Sequence, residues 1–582
     1  MKKILTTLLI SLLTFGTAYN QITSPSWYKG MLGYLDGVIC TDSLLNVYLS
    51  THFYETSQFD YTGIDTTLLA NGALLLVKMD QTGKMIWMNT INKYSDTPGF
   101  ASSAAHIVAN NNNLFVGSEA YDTVTLKSGD PEFLVPSGTG FVSSFFAKYN
   151  NDGEPEWVKI LSSDSIIGIS DIALDQFGNI FITGQFMGTA DFNPGAGEFT
   201  IAANETDNFL AKYDYLGNLL WAYALSGEKG VGSIMLEIDK ENNLLLCGNL
   251  FDKENADFDF GPGEQILDAE RGYDLFIAKY NNNGDYLWAF KAGNNSFNVN
   301  LKPADFSIDE ENNIICTGSI SGPEPVDFDP SAVEFMLTPN YEHTNGFLAK
   351  YNPDGNFIFA YLWDPSSKIE CNAVATSQTG NIFVFGNLLG SVDLDPSPDE
   401  FIIETTGIGI PNDYDFYLME FDAVGNFIDA SQIITGLSNW SAAQKLVLDN
   451  ADNLIMVGFF QDSIDLDPTP GITTLYTIDT LPPFEYGNGF YIAKYGDAKT
   501  FVNSFESVEG IALYPNPAQS TLYINYQGGA ESVAIFDLTG KCLYWNNTPN
   551  QASVDVTDFP SGMYCLRLCQ LGEWHSSRFI KL

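Results

Sequence analysis

"GFYIAKYGDAKTFVN", residues 489–503, is the stretch that decides the fold. Six earlier stretches match its first half and then continue, usually to a tryptophan. They read "LLLVKMDQTGKMIW" from Leu74, "SFFAKYNNDGEPEW" from Ser144, "NFLAKYDYLGNLLW" from Asn208, "LFIAKYNNNGDYLW" from Leu275, "GFLAKYNPDGNFIF" from Gly346 and "FYLMEFDAVGNFID" from Phe416. The seventh copy stops. A second hairpin accompanies each copy, clearest in "IALDQFGNIFITGQF" ending at Phe186. Its counterparts begin at Asn113, Asn243, Asn313, Asn381 and Asn453, and "NVYLST" at Asn46 makes seven. The spacing of Lys78, Lys148, Lys212, Lys279, Lys350, Glu420 and Lys494 sets a period of about 64 to 74 residues.

Within one period the signals are strand and turn. Runs rich in Val, Ile, Phe and Tyr flank "NNDG", "NNNG", "NPDG" and "QFGN". In these, Asn or Asp opens the turn and Gly supplies the positive φ that hairpin loops demand. Two hairpins per period make a four-stranded antiparallel unit, and seven such units predict an all-β chain built as a seven-bladed β-propeller over residues 26–496. Lettered outward from the centre, "IALD" is strand A, "NIFITGQF" B, "FLAKYD" C and "LLWAYAL" D. The seventh unit lacks a D strand after Tyr495, and "SWYKGML" at Ser26 to Leu32 is a D strand without a unit. Trp27 stands in it where Trp157, Trp221 and Trp288 stand in theirs. The last blade is therefore expected to be closed by the N- and C-terminal strands together, which leaves no unpaired sheet edge at the seam.

At 582 residues, with 45% apolar side chains, the chain is globular and large enough for a repeat domain plus an appendage. It carries 72 acidic against 26 basic residues, a formal charge of −46. Such a surface repels phosphates, and no basic cluster offsets it, so nucleic-acid binding is excluded. "MKKILTTLLISLLTFGTA" reads as a signal peptide over residues 1–18, too short in its apolar core to span a bilayer. No later run reads as a transmembrane helix, so a soluble exported chain without a membrane anchor is expected. Seven scattered cysteines do not suggest a disulfide framework. Cys40, Cys247 and Cys316 fit buried strand positions. Cys565 and Cys569 are about 13 Å apart along one strand, too far to bridge each other, and either could pair with Cys542.

The period resembles the bacterial beta-propeller repeat family, in which a "D-x-F-x-A-K-x-x-x-x-G-x-x-x-W" hairpin is followed by "I-A-x-D-x-x-G-N-x-Y-x-T-G". "DLFIAKYNNNGDYLW" and "DIALDQFGNIFITG" carry the match. It implies a propeller but no particular activity. The C-strand turn also resembles faintly the tryptophan motif of quinoprotein propellers. That family's adjacent cysteine pair is absent, so no quinone cofactor is expected.

A second recurrent feature is "ADFNPG" at Ala190, "ADFDFGPG" at Ala256, "VDFDP" at Val326, "VDLDP" at Val392 and "IDLDP" at Ile464. Strand alternation puts Asp257 with Asp259, Asp327 with Asp329, Asp393 with Asp395 and Asp465 with Asp467 on one side, near enough to share a calcium ion. Neighbouring carbonyls and water would have to complete the shell. The competing reading is a turn in which Asp accepts backbone N–H groups and Pro fixes the exit. No other cofactor is expected.

Support for catalysis is thinner. His52, His106, His343 and His575 fall at unrelated points of the repeat, no G-x-S-x-G elbow is present, and departures from the repeat read mainly as changes of loop length. The sequence thus favours a noncatalytic scaffold whose loops, such as "KSGDPEFLVPSGTGFVSS" and "IDTLPPFEYGNG", bind an extracellular glycan or protein. The alternative is a hydrolase or lyase acting on extracellular polysaccharide.

After a linker at 497–510 the period is abandoned. Residues 511–582 read as a small all-β unit consistent with an immunoglobulin-like β-sandwich, with a Pro-bounded entry and turns at Gly540 and Gly562. They resemble the type A C-terminal sorting domain of the type IX secretion system. That family's Y-P-N-P motif falls on Tyr514, Pro515, Asn516 and Pro517, its D-x-x-G-K turn on Asp537, Gly540 and Lys541, and its G-x-Y-x-L strand on Gly562, Tyr564 and Leu566. The resemblance implies recognition by the type IX machinery at the outer membrane, then removal of the tail with release or attachment to the cell surface.

Overall fold

The structure, a computed structural model, describes residues 25–496 and 511–581 apart from loop segments, the longest being 94–104, 406–413 and 477–487. The signal peptide expected over 1–18, the linker 497–510 and most of both quoted insertion loops lie outside the described residues. Every regular element among those described is a β-strand. The chain divides into two compact units, Met1–Asp497 and Ala498–Leu582.

In the first unit the chain lays down an A–B–C–D antiparallel meander seven times, and each meander is called a repeat below. The third is the most regular, with strands Ile166–Leu174, Ile180–Asp191, Thr200–Tyr213 and Leu219–Leu225. Its C–D turn shows why this sequence bends there. Asp214 Oδ1 accepts the N–H groups of Leu216 and Asn218, each at 2.9 Å, and Gly217 takes φ 76°. The C strands are buried on both faces, as Asp274–Tyr280 is at every residue, its Asp274 and Lys279 included.

The seventh repeat has strands Ala442–Leu448, Leu454–Gln461 and Asn488–Tyr495, and its fourth strand is Trp27–Leu32. Trp27 sits opposite Lys494, the register in which Trp87, Trp157, Trp221 and Trp288 sit opposite Lys78, Lys148, Lys212 and Lys279. The pairing expected between the two distant ends of the repeat region is therefore present, residue for residue.

Successive repeats are joined the same way. The D-strand aromatics of the first, fifth and seventh repeats cover the turn glycine of the next repeat, leaving no room for a side chain. A Cβ on Gly153 would stand 2.7 Å from Trp87, one on Gly425 2.7 Å from Phe359, and one on Gly83 of the first repeat 2.5 Å from Trp27 of the seventh. The Trp27 indole N–H donates to Gln81 O at 3.0 Å, as that of Trp87 does to Asn151 O at 2.9 Å. One apolar cluster joins Trp27, Ile455, Val457 and Phe490 to Ile39, Val47 and Leu75 of the first repeat.

The second unit has a three-stranded sheet, Ile511–Tyr514, Thr521–Tyr526 and Ser553–Asp555, and a four-stranded sheet, Cys542–Asn546, Ser532–Asp537, Gly562–Gln570 and Glu573–Lys581. Leu522 and Ile524 of one share a core with Val533, Ile535 and Leu566 of the other. The register closes one possibility the sequence left open. Cys542 and Cys565 both flank Phe536 from opposite sides, so a whole strand separates them. Two strand spacings are about 9.6 Å, beyond disulfide reach. Cys569 lies farther along, opposite Ser532, and does not pair with Cys542 either.

Candidate functional site

The D-x-D segments lie in arms between strands B and C. In each, the first Asp is the hub of a turn. Asp257 Oδ1 accepts from Asp259 N at 3.0 Å and Gln265 N at 2.8 Å. Asp327 does so from Asp329 and Phe335, Asp393 from Asp395 and Phe401, and Asp465 from Asp467 and Thr473. The second Asp holds the amide two residues on in Asp259, Asp329 and Asp395. The residue between the pair is fully buried, as in Phe258, Phe328, Leu394 and Leu466. Its carbonyl is capped by a buried hydroxyl: Tyr280 Oη donates to Phe258 O, Tyr351 Oη to Phe328 O and Tyr495 Oη to Leu466 O. The sixth repeat has Phe421 in place of that tyrosine, and Trp363 Nε1 of the fifth donates to Leu394 O instead, at 3.0 Å.

These arms also clamp neighbouring repeats, which the sequence reading did not foresee. The D strand of the second repeat pairs with Ala190 and Asp191, that of the sixth with Ile464 and Asp465, and Met31 of the seventh with Phe59 of the first. A cleft of about 510 Å³ opens where Phe290, Lys291 and Asn294 face Asp327, Asp329 and Glu334. Among the described residues, no three His, Cys, Asp or Glu side chains are grouped to hold a metal ion.

The lysine that marks the period is buried and ion-paired. Lys279, Lys350 and Lys494 meet Asp239, Asp309 and Asp449 of their own A–B turns at 2.9, 2.8 and 2.6 Å. The ammonium also reaches the next repeat's C–D turn, as Lys350 does to Ala423 O at 2.7 Å. Three repeats depart from this; in the first, Lys78 bonds Asn151 Oδ1 of the second repeat's C–D turn. In the second, Asn110 replaces the aspartate and Lys148 pairs with Glu156 at 2.7 Å. In the sixth both partners change: Glu420 replaces the lysine, Ser377 replaces the aspartate, and Asn381 Nδ2 donates to Glu420 at 2.8 Å. A buried lone lysine would be costly there, and the double exchange avoids it.

The departure that bears on function is on the innermost strands. The A-strand residue opposite the fourth position after the B-strand asparagine is Val38, His106, Asp171, Met235, Asp305, Ala373 and Lys445 in the seven repeats. The next residue is apolar in every repeat, from Ile39 and Ile107 to Val374 and Leu446, whereas this one ranges from apolar to both signs of charge. Lys445 Nζ lies 2.7 Å from Asp305 Oδ1, bridging the seventh and fifth repeats, and His106 Nδ1 lies 4.0 Å from Asp171 Oδ1. Asp171 and Asp305 each use the other oxygen to accept an amide of the following inner strand, from Leu236 at 2.9 Å and Val374 at 3.1 Å.

Glu237, two residues beyond Met235, joins the same electrostatic group. Its side chain keeps contact with water, yet desolvation among the inner strands, with Asp171 and Asp305 adding to it and Lys445 opposing, pushes its carboxyl up to about 8. Desolvation also raises Asp171, against the pull of His106 and Lys445. It would lower Lys445, but Asp305, Asp171 and Glu237 outweigh it and hold that ammonium high. Departures from the repeat are thus not confined to loop length. A pattern search misses this position because β-bulges at Ile169/Asp171, Pro303/Asp305 and Ala443/Lys445 shift the alternation by one.

In the second unit, Tyr514 ends a strand, Asp537 ends another opposite Tyr564, and Gly562 begins the strand that carries Tyr564 and Leu566. Tyr564 and Leu566 are buried, and Tyr564 Oη donates to Pro560 O at 2.6 Å. Pro515, Asn516, Pro517, Gly540 and Lys541 lie outside the described residues.

Residues 512–581 match the secretion system C-terminal sorting domain. This domain indicates export to the cell surface or extracellular space and implies interaction with the type IX secretion machinery. No helix among the described residues is long and apolar enough to cross a membrane. Over 445 residues, 67% of its length, the chain is 25% identical to an uncharacterized WD repeat-containing protein of Acanthamoeba polyphaga mimivirus, and it spans 31% of that protein. Among solved structures it is similar to a protein of unknown function from Dyadobacter fermentans, at 9% identity over 80% of this chain and 98% of that one, with a TM-score of 0.33. A second, from Bacteroides caccae and also of unknown function, shares 9% identity over 62% and 89%, with a TM-score of 0.26. At these TM-scores neither likeness bears on the fold.

Proposed function

We propose that residues 26–496 form a closed seven-bladed propeller that works outside the cell as a noncatalytic scaffold binding a glycan or a protein. The ring reading is supported by the seventh repeat meeting the first through the same tryptophan, arm and inner-strand contacts that join the first to the second. Delivery follows from the tail, addressed in this reading through Tyr514, Pro515, Asn516, Pro517, Asp537, Gly540, Lys541, Gly562, Tyr564 and Leu566.

The observation that carries the binding role is the inner-strand position, where seven equivalent sites hold unlike residues, four of them ionisable, and Glu237 two residues beyond joins their cluster. Structural repeats keep what packing needs; a position freed from the repeat is available to a ligand. A noncatalytic role is favoured because both aspartates already serve amides and cations. One observation favours the second reading, an extracellular polysaccharide hydrolase or lyase: Glu237, held protonated near neutral pH beside other carboxylates, has the character of a general acid.

Screening the purified repeat domain against a glycan array and chromogenic polysaccharides separates the two. Retention without product release is expected. Release of reducing ends that disappears in Glu237→Gln would overturn the noncatalytic reading.

A further inference from the structure

The turns of the third repeat break the repeat's chemistry in a second place. Phe177 at the tip of its A–B turn is 70% exposed, and Tyr215 and Leu216 at the tip of its C–D turn are 37% and 59% exposed. Where Tyr215 stands, other repeats have Gln81, Asn151 and Asn282; where Phe177 stands, the fourth and fifth have Glu241 and Glu311. The first and sixth repeats each have one apolar tip, Leu44 and Val424, but among the described residues only the third places aromatic side chains on both turns. The two tips touch, because a Cβ on Gly178 would stand 3.3 Å from Tyr215 Cδ2.

The tyrosine is held in place rather than left to swing. Lys148 Nζ lies 3.7 Å from its ring centroid and bonds its hydroxyl, and Phe115 meets it edge-on at 6.2 Å. Asn151 and Asn282 bond the preceding repeat's lysine from the same turn position, so the ring's solvent-facing area goes beyond that shared role. It offers a surface whose contacts lose little entropy on binding.

The surrounding charges are spent. Lys148 pairs with Glu156 at 2.7 Å, and Lys159 stands near enough to offset the Asp214 carboxylate. The patch is locally neutral on a chain of formal charge −46, which disfavours an anionic partner. A neutral ligand with apolar C–H faces and hydroxyls for the flanking turn groups matches it.

We infer that Phe177, Tyr215 and Leu216 form a carbohydrate-stacking subsite for a neutral polysaccharide. This rests on the reading of the propeller as a glycan-binding scaffold. The test is affinity electrophoresis of the full chain against soluble neutral glucan, mannan and xylan, with alginate and a polylysine-coated matrix as anionic and cationic controls. Two variants accompany wild type: Phe177→Thr with Leu216→Asn, and Tyr215→Asn, each placing on these turns residues that other repeats carry, as Thr379, Asn283 and Asn151 show.

Wild type should be retarded by at least one neutral polysaccharide, with Kd rising at least tenfold in both variants while their melting temperatures stay near wild type. Wild type bound to a neutral polysaccharide with unchanged Kd in the variants overturns the subsite but leaves the scaffold reading standing. Retention by alginate alone also overturns the subsite. Retention by polylysine alone, or by no matrix, overturns the subsite and the glycan-binding reading together.

Discussion

Replacing Trp27 by alanine probes the closure of the repeat region at a strand that joins the rest of its repeat through a hydrogen-bond ladder and apolar packing, without a chain connection. Trp27 is only 9% exposed, and its indole N–H serves Gln81 O of the first repeat. A tryptophan buries up to about 250 Å², so at about 25 cal/mol per Å² its transfer contributes roughly 6 kcal/mol as an upper bound, and truncations of this size cost about 3–5 kcal/mol. Unfolding roughly 470 residues at about 2.1 cal/mol/K each gives an entropy near 1 kcal/mol/K, so the melting temperature should fall by about 3–5 °C. Differential scanning calorimetry of the repeat domain, with Trp87→Ala beside it, makes the comparison. If the strand is a closing strand, the two variants fall by similar amounts. A frayed terminal strand would leave the Trp27→Ala midpoint within about 1 °C of wild type, and that result would refute the reasoning.

The charge exchange in the sixth repeat predicts a coupled pair. Glu420→Lys alone and Ser377→Asp alone should each destabilise, while the double variant, which recreates the 2.8 Å pair of Lys350 and Asp309, should recover about 1–3 kcal/mol in a denaturant double-mutant cycle. Simple additivity would count against the account. Glu237 predicts a pH dependence of definite sign. Its folded-state pKa is raised from 4.5 to about 8, so the folded chain holds a proton that the unfolded chain releases, and this contribution to stability is lost as pH climbs through that window. The melting-temperature advantage of Glu237→Gln over wild type should grow between about pH 5 and pH 9; a constant offset contradicts the assignment. The arm aspartates predict little response to calcium, because Oδ1 of each first Asp is already saturated by two amides. Melting points in chelator and in excess calcium should agree within about 1 °C, and a clear rise with calcium would assign the D-x-D pairs to the ion.

What could be read from the chain was local or periodic. The Asn/Asp-to-Gly turns, the Lys and Trp that recur in most C–D hairpins and the solitary "SWYKGML" all lie within a few residues of each other or recur at one spacing, so Ser26–Leu32 is legible as the strand beside Phe490–Tyr495. The D-x-D arms were visible as turns, but their pairing with the preceding repeat, such as Ile434 with Asp465, is a contact that alternation cannot reveal. Glu420 was recognised as the odd member of the lysine series. Its compensating Ser377 was not, because the partner sits in another hairpin. The inner cluster escaped for a geometric reason: bulges displace Asp171, Asp305 and Lys445 by one residue, and only the ladder register aligns them with His106. Cys542 and Cys565 were within conceivable reach until the strand order put Phe536 between them.

The claim on which the functional account turns is that the tail sends the repeat domain out of the cell. In a host with a type IX secretion system, the full chain and a version ending at residue 510 are expressed and followed by cell fractionation, with limited proteolysis to report folding. The full chain should reach the cell surface or medium, and the truncated chain should remain in the periplasm with its repeat domain resistant to protease. A truncated chain found outside in the same proportion as the full one would contradict the account.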